Sequence, residues 1–395
     1  MKEGWEYKTF KEQFSINMGK TPPRGDSSSW DKSKITTNKW VSIADISLNE
    51  GKNIFDTKEY ISDKAAEKIK KVKAGSLLMS FKLTIGKMAF AGDDLFTNEA
   101  IIAIPQNEEY NLYFLYYYLL QYDWKSLTEG NEKVKGATLN KQSIGRILLP
   151  IITLDEQRRI VSYLDSSFKL IDEIKEKAQK SLSEAKALFQ SALAEAMEPK
   201  EGWEEKTLGE ICFIARGGSP RPIKNFLTED ESGIPWIKIG DTEIGGKYIN
   251  RTKEKIKKEG IKSSRFVSKG DFLLSNSMSF GRPYILKTDG CIHDGWLVLQ
   301  NFKDTFIDDF LYYLLSCRYV QNQFDEYAYG STVRNLKTDS VSRVLVDYPP
   351  LSTQKQIVSH LDKLSSNVKQ MEERYKKIVE ECDALKQAML RDVFE

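Results

Sequence analysis

Two long stretches of this chain carry apolar residues at helical spacing and hold no Pro or Gly: Asp155 to Met197 and Ser352 to Glu395. Each predicts a helix of about 40 residues, roughly 60 Å at 1.5 Å per residue. Pro150 precedes the first and Pro349-Pro350 the second, where proline frames a helix start. In the second stretch Leu361, Leu364, Val368, Met371, Tyr375, Ile378, Cys382, Leu385 and Met389 alternate three and four apart, an a/d seam. The equivalent positions of the first are Leu164, Ser167, Ile171, Ile174, Ala178, Ser181, Ala185, Leu188 and Ala192. One seam is small and the other large, so the pattern predicts that the two helices pair with each other, antiparallel, with Ala178 opposite Tyr375. Charges off the seam, such as Glu173 with Lys177 and Glu372 with Lys376, read as a solvated face.

Ahead of each helix the pattern shortens to strand-like runs between turn signals. The first half shows Trp40 to Ile43, Ser76 to Ser80, Lys87 to Phe90 and Ala100 to Ile104. The second shows Pro235 to Ile239, Asp271 to Ser275, Pro283 to Leu286 and Trp296 to Leu299. An aromatic helix follows in each, at Asn111 to Gln121 and Asp308 to Val320, and its stripe reads as core. The expected fold class is therefore α+β: two mixed α/β domains alternating with two long helices that pair as an antiparallel coiled coil.

The halves are copies. Lys2-Glu3-Gly4-Trp5-Glu6 returns as Lys200-Glu201-Gly202-Trp203-Glu204, and Lys8-Thr9 as Lys206-Thr207. Gly75 to Ser80 answers to Gly270 to Ser275, and Gln157 to Val161 answers to Gln354 to Val358. A period this long suits a pseudo-two-fold protein better than a solenoid. The expected boundaries are 1–150 and 200–347 for the domains, 151–199 and 348–395 for the helices.

Composition narrows the function. The chain has 395 residues and a net charge of +2, which lends a nucleic-acid role little support in bulk. Its four cysteines form no CxxC pair, and no apolar run is long enough for a membrane span. With no signal-like N-terminus, the expected location is cytoplasmic. No catalytic constellation is found. Gly19-Lys20-Thr21 has the tail of a phosphate loop without its first Gly, and His293 and His360 lack partners at zinc spacing. The expectation is a binding protein, with no metal and no catalytic residues.

Three loops per half carry polar and basic residues at matching positions. Lys and Arg suit phosphates; Asn, Ser, Thr and Arg suit base edges. The candidates of the first half are Lys20 and Arg24, then Lys82, Thr84 and Lys87, then Lys133, Lys135, Thr138 and Asn140. Those of the second are Arg216 and Arg221, then Ser275, Asn276, Ser279 and Arg282, then Tyr329, Ser331, Thr332, Arg334 and Asn335. The framework repeats while the loop chemistry differs, as two scaffolds reading two different sequences would require. Glycines in these loops would let the backbone approach a ligand.

At the junction of domain and helix stands Pro150-Ile151-Ile152-Thr153-Leu154-Asp155-Glu156-Gln157-Arg158-Arg159-Ile160-Val161-Ser162-Tyr163-Leu164-Asp165. Its second copy runs from Asp347-Tyr348-Pro349-Pro350-Leu351 through Gln354, Ile357 and Val358 to Leu361-Asp362. Over the whole chain this resembles the specificity subunit of Type I restriction–modification systems. The resemblance implies double-stranded DNA as a partner, with each domain a target-recognition domain for half of a bipartite site. It also implies that the helices set the spacing and dock two methyltransferase (modification) subunits, with two restriction (motor-nuclease) subunits completing the complex. No cofactor would bind this chain: S-adenosylmethionine, ATP and Mg²⁺ would belong to the partner subunits. The alternative is a duplicated coiled-coil scaffold that binds protein without recognising DNA.

Overall fold

The computed structural model describes all residues except Met1, 125–126, 128–138, 244, 278–279 and 329–334. Its contacts divide the chain into two units, Met1–Lys177 with Lys377–Glu395, and Ala178–Lys376. Each unit thus owns one globular segment and part of both long helices.

In the first unit a five-stranded sheet runs in the order Asn17–Met18, Ile101–Ile104, Leu77–Ser80, Met88–Ala91, Asn53–Ile54. Its neighbours are antiparallel except the last pair. The three central strands are buried along their whole length, because both faces are covered. Leu77, Met79, Phe90 and Ile102 face the aromatic helix Leu112–Leu120, while Leu78, Ala89, Ala91 and Ile101 face Val41, Ile46 and Ile54. A three-stranded sheet, Glu59–Tyr60, Lys39–Val41 and Phe96–Thr97, completes the segment.

The second unit repeats the main sheet as Phe213–Arg216, Trp296–Gln300, Phe272–Ser275, Pro283–Leu286, Tyr248–Ile249. Its second sheet is larger, with five strands centred on Ile234–Ile237. Two expected elements differ. The strand at Trp40 stops at Val41, because Ser42 caps a helix, Ile43–Leu48, and Asp45 reaches back to its backbone N–H at 2.8 Å. The helix expected over Asp308 to Val320 breaks at Cys317, whose extended backbone separates Asp308–Ser316 from Arg318–Ala328.

The long helices span Leu154–Ala196 and Leu351–Phe394, 43 and 44 residues. In the first unit they run antiparallel, since Asp172 pairs with Lys386 at 2.6 Å and Lys175 with Asp383 at 2.8 Å. Between those pairs Ile171 meets Cys382, whose Sγ lies 4.0 Å from the Ile171 carbonyl oxygen. In the second unit Lys186 pairs with Glu372 at 2.6 Å. The seam needs one correction. Leu164, Ile171, Leu361 and Cys382 are buried, and Ala178, Ala185, Ala192, Leu364, Val368, Met371, Tyr375, Ile378 and Met389 are partly covered. Ile174, Leu188 and Leu385 are 52, 64 and 50% exposed. Lys175, Phe189 and Lys386 take their places, and Ser181, exposed as well, gives way to the buried Leu182. From each a-type position of the first helix the seam steps four residues before it steps three. Lys175 and Lys386 contribute their aliphatic stems while their ammonium groups reach acids across the pair.

Candidate nucleic-acid interface

The junction motif fixes each domain to its helix. Gln157 is fully buried: its Nε2 donates to the carbonyls of Glu109 and Ile152, both at 3.0 Å, and its Oε1 accepts from Asn111 N–H at 2.7 Å. Gln354 repeats this with Thr305 and Pro349 at 2.7 and 2.9 Å and Ile307 N–H at 3.1 Å. Two turns on, the motif's Asp165 and Asp362 accept from the hydroxyls of Tyr117 and Tyr313 at 2.5 and 2.6 Å. Burial and then the paired carboxylate push both phenols up, so they remain donors. The Trp of each opening phrase closes the same joint. Trp5 packs on Phe114 and on Phe394 from the end of the second helix, and Trp203 packs on Phe310.

From this fixed base, two of the three loops converge at one edge of each main sheet. In the first unit Gly19 N–H donates to Ile101 and Lys20 N–H to Thr97, tying the first loop to the turn at 97–100. Phe81 N–H, in the second loop, donates to Ala100. The third loop lies mostly outside the described residues, but its end returns there, where Leu139 N–H donates to Phe81. The second unit builds the same ties with Gly217 to Trp296, Gly218 to Ile292, Asn276 to Gly295 and Leu336 to Asn276. The Cβ of any larger residue at Gly19 or Gly217 would collide with the carbonyls of Thr97 and Asn98, or of His293. The close approach these glycines permit is therefore to the protein's own turn, not to a ligand.

An acid that sequence reasoning missed stands at the centre of each confluence. Thr21 Oγ1 donates to Glu99, and Ser219 Oγ donates to Asp294 at 2.7 Å. Burial pushes the Glu99 carboxyl up, but the Thr21 hydrogen bond and the charges of Lys82 and Arg24 outweigh it and hold it low. Asp294 is held low chiefly by Ser219. Asp294 is also a hub: Arg221 pairs with its carboxylate at 3.3 Å, and Arg216 Nε and Asn276 Nδ2 donate to its carbonyl at 2.9 and 3.0 Å. Asn98 and His293 hold equivalent places in the two copies, and an acid follows each. His293 is structural, its ring between the N–H groups of Ile239 and Gly295, and burial holds its pKa down.

The candidate residues separate accordingly. Lys20, Arg24, Lys82, Thr84, Arg216, Arg221 and Arg282 border the confluences with solvent access. Asn335 is partly buried beside Leu336. Asn140 caps the helix Lys141–Gly145 through Ser143 N–H at 2.8 Å. Ser275 and Asn276 are buried and hold their turns, Ser275 Oγ accepting from Arg282 N–H at 3.0 Å. Lys87 is committed to Glu50 at 2.6 Å. These four have framework roles, which hydrogen-bonding capacity alone did not reveal. Lys133, Lys135, Thr138, Ser279, Tyr329, Ser331, Thr332 and Arg334 lie outside the described residues. Arg265, whose Nε donates to the Arg216 carbonyl at 2.8 Å, joins the second confluence unforeseen. Among the described residues no group of three or more His, Cys, Asp or Glu is placed to hold a metal. No described helix is long and apolar enough to cross a membrane.

The family model of the Type I restriction modification DNA specificity domain matches twice, over residues 2–184 and 200–380. The chain belongs to that family. It is a specificity subunit with two target-recognition domains. It is 26% identical over 280 residues to the putative type I restriction enzyme specificity subunit S.HindORF215P of Haemophilus influenzae, covering 68% of each chain. It is 30% identical over 187 residues to the type I restriction enzyme MjaIX specificity subunit of Methanocaldococcus jannaschii, covering 46% of this chain and 42% of that one. Among solved structures, the HsdS subunit from Thermoanaerobacter tengcongensis superposes with a TM-score of 0.60 at 20% identity, covering 100% of this chain and 97% of that one. A chain from the work on complex assembly and conformational transition of the type I R-M system gives a TM-score of 0.79, again at 20% identity, covering 100% and 98%. At that identity the two structures speak for the fold.

Proposed function

We propose that each loop confluence is the DNA-reading edge of one recognition domain, so that the specificity subunit recognises a bipartite target with unread base pairs between its halves. One observation carries this reading. The same backbone ties build the edge twice, from Gly19, Phe81 and Leu139 and from Gly217, Asn276 and Leu336, while the exposed side chains around them differ. A shared framework with divergent side chains is what two independent readers need. The long helices set the distance between half-sites and dock two methyltransferase subunits, and two motor-nuclease subunits complete the restriction complex. The chain does no chemistry itself: S-adenosylmethionine, ATP and Mg²⁺ act on those partners, in the cytoplasm.

Exchanging Met1–Leu149 for the first domain of another family member tests the reading. Methylome mapping of a host expressing the hybrid with its partners is expected to show one half-site changed and the other kept. A change in both halves would overturn independent reading.

A further inference from the structure

In the first unit, one candidate differs in kind from the rest. The guanidinium of Arg24 lies 4.2 Å from the ring centre of Trp30 and 4.9 Å from that of Trp40. Its Nη1 is 2.5 Å from Glu59, yet 56% of the side chain is exposed. The two indoles meet edge to face at 5.1 Å, and their N–H groups donate to the loop itself, Trp30 to Pro23 and Trp40 to Lys20, both at 3.1 Å. Loop and guanidinium are therefore both held before any ligand arrives. Arg221, in the corresponding loop of the second unit, has Asp294 at 3.3 Å and stays 80% exposed.

A cavity of about 530 Å³ opens beside Arg24. Its wall includes Lys32, Lys34 and Lys58 together with Asp31 and Glu59. Lys34 is occupied by the Thr57 carbonyl at 2.7 Å and by Asp56. Lys32 and Lys58 are exposed.

We propose that Arg24 reads a guanine in the first half-site, and that Lys32 and Lys58 hold neighbouring phosphates. The inference rests on the reading of the confluence as a DNA edge. A guanidinium already neutralised by Glu59 is a poor counterion for phosphate, where binding follows net charge and counterion release. Its remaining donors still match O6 and N7 of guanine, a bidentate contact that depends on direction. Arg loses about 2 kcal/mol of rotamer freedom when fixed, and here the indoles and Glu59 impose that before binding. Lys32 and Lys58 are flexible point charges on the same wall, suited to phosphate.

The test uses the chain assembled with its methyltransferase subunits and a duplex carrying its mapped target. Each base pair of both half-sites is substituted in turn in competition binding, with thermal melting of each variant as the folding check. Arg24→Lys keeps charge and stem but removes the fork. It is expected to weaken the discrimination of about 5- to 150-fold at one G·C pair of one half-site. Glu59→Gln frees the guanidinium and adds net positive charge. It is expected to weaken discrimination at that same pair without weakening binding to unrelated DNA, an outcome that a merely structural Glu59 would not give. Lys32→Ala with Lys58→Ala is expected to weaken binding to all sequences alike and to lower the salt slope by about 2, at roughly 0.9 per phosphate. Arg24→Lys that leaves every preference unchanged, or that weakens all sequences equally, overturns the assignment. So does a first half-site without a G·C pair. If the wild-type complex shows no preference in the half-site assigned by the domain exchange, the underlying reading has failed instead.

Discussion

Replacing Gln354 should loosen the second domain from its helix, by an amount the geometry sets. The side chain is fully buried and makes three hydrogen bonds, two to carbonyls and one from an N–H. Gln354→Ala strands those three backbone groups, at about 1–3 kcal/mol each. A water entering the vacated space re-pairs two of them at about 0–2 kcal/mol, so the expected loss is about 1–5 kcal/mol. Since 1 kcal/mol moves the melting point of a domain this size by about 2–4 °C, the transition of the second unit should fall by roughly 2–20 °C. Hydrogen exchange should rise in peptides spanning 305–307 and 349–354 more than in those of the first unit. Gln354→Glu sharpens the test. It keeps the shape but turns an oxygen toward two carbonyls, so burial and those dipoles raise its folded pKa above the unfolded value of about 4.3. A group with a raised folded pKa contributes stability that is complete below its unfolded pKa and is lost as pH rises through the folded one. The Glu variant should therefore approach wild type near pH 4 and fall away toward pH 7. A loss under 1 kcal/mol for Ala, or a Glu variant insensitive to pH, would refute the proposed joint.

Other outcomes follow from the same structure. Leu182→Ala should cost about 2–5 kcal/mol and Leu188→Ala under about 0.5 in thermal or denaturant unfolding, because the first is buried and the second exposed; equal costs would restore the uncorrected seam. Gly217→Ala, forced against the His293 carbonyl, should cost about 1–3 kcal/mol and disturb only the second half-site in methylome mapping. Inserting one heptad into each long helix should lengthen it by about 10 Å and add roughly three unread base pairs, and an unchanged spacer would exclude the helices as the ruler.

Much of this molecule was legible because duplication and periodicity are written along the chain. The two helices, their antiparallel pairing and the main strands follow from spacing, and the opening Trp of each half announces the joint it fills. The seam's phase was harder. Ile174, Leu188 and Leu385 look like better core residues than Lys175 or Lys386, and hydropathy cannot see a lysine whose stem is buried while its charge crosses to an acid. The loops were legible as a set but not residue by residue. Ser275, Asn276 and Asn140 carry donors and acceptors suited to bases, but their backbones' need for caps and turn closures claims them first. Glu99 and Asp294 are not legible as site residues from charge, since a DNA-facing edge calls for positive side chains.

Those two acids explain how one framework supports two chemistries. Among the described residues, the ties common to both confluences run between backbone groups, so they survive almost any change of side chain. The glycine of the first loop is constrained by space and the acid at the centre by its hydroxyl partner, and in the second unit the buried Asn276 is held by the Asp294 carbonyl. On the proposed reading, a carboxylate at the centre of a basic edge would weaken its attraction for phosphate. Asp294 pairs with Arg221 at 3.3 Å, and on the proposed reading such an acid would disfavour binding that rests on charge alone. On the proposed reading of each confluence as a DNA edge, a subunit of net charge +2 would draw its discrimination from held donors rather than from bulk attraction.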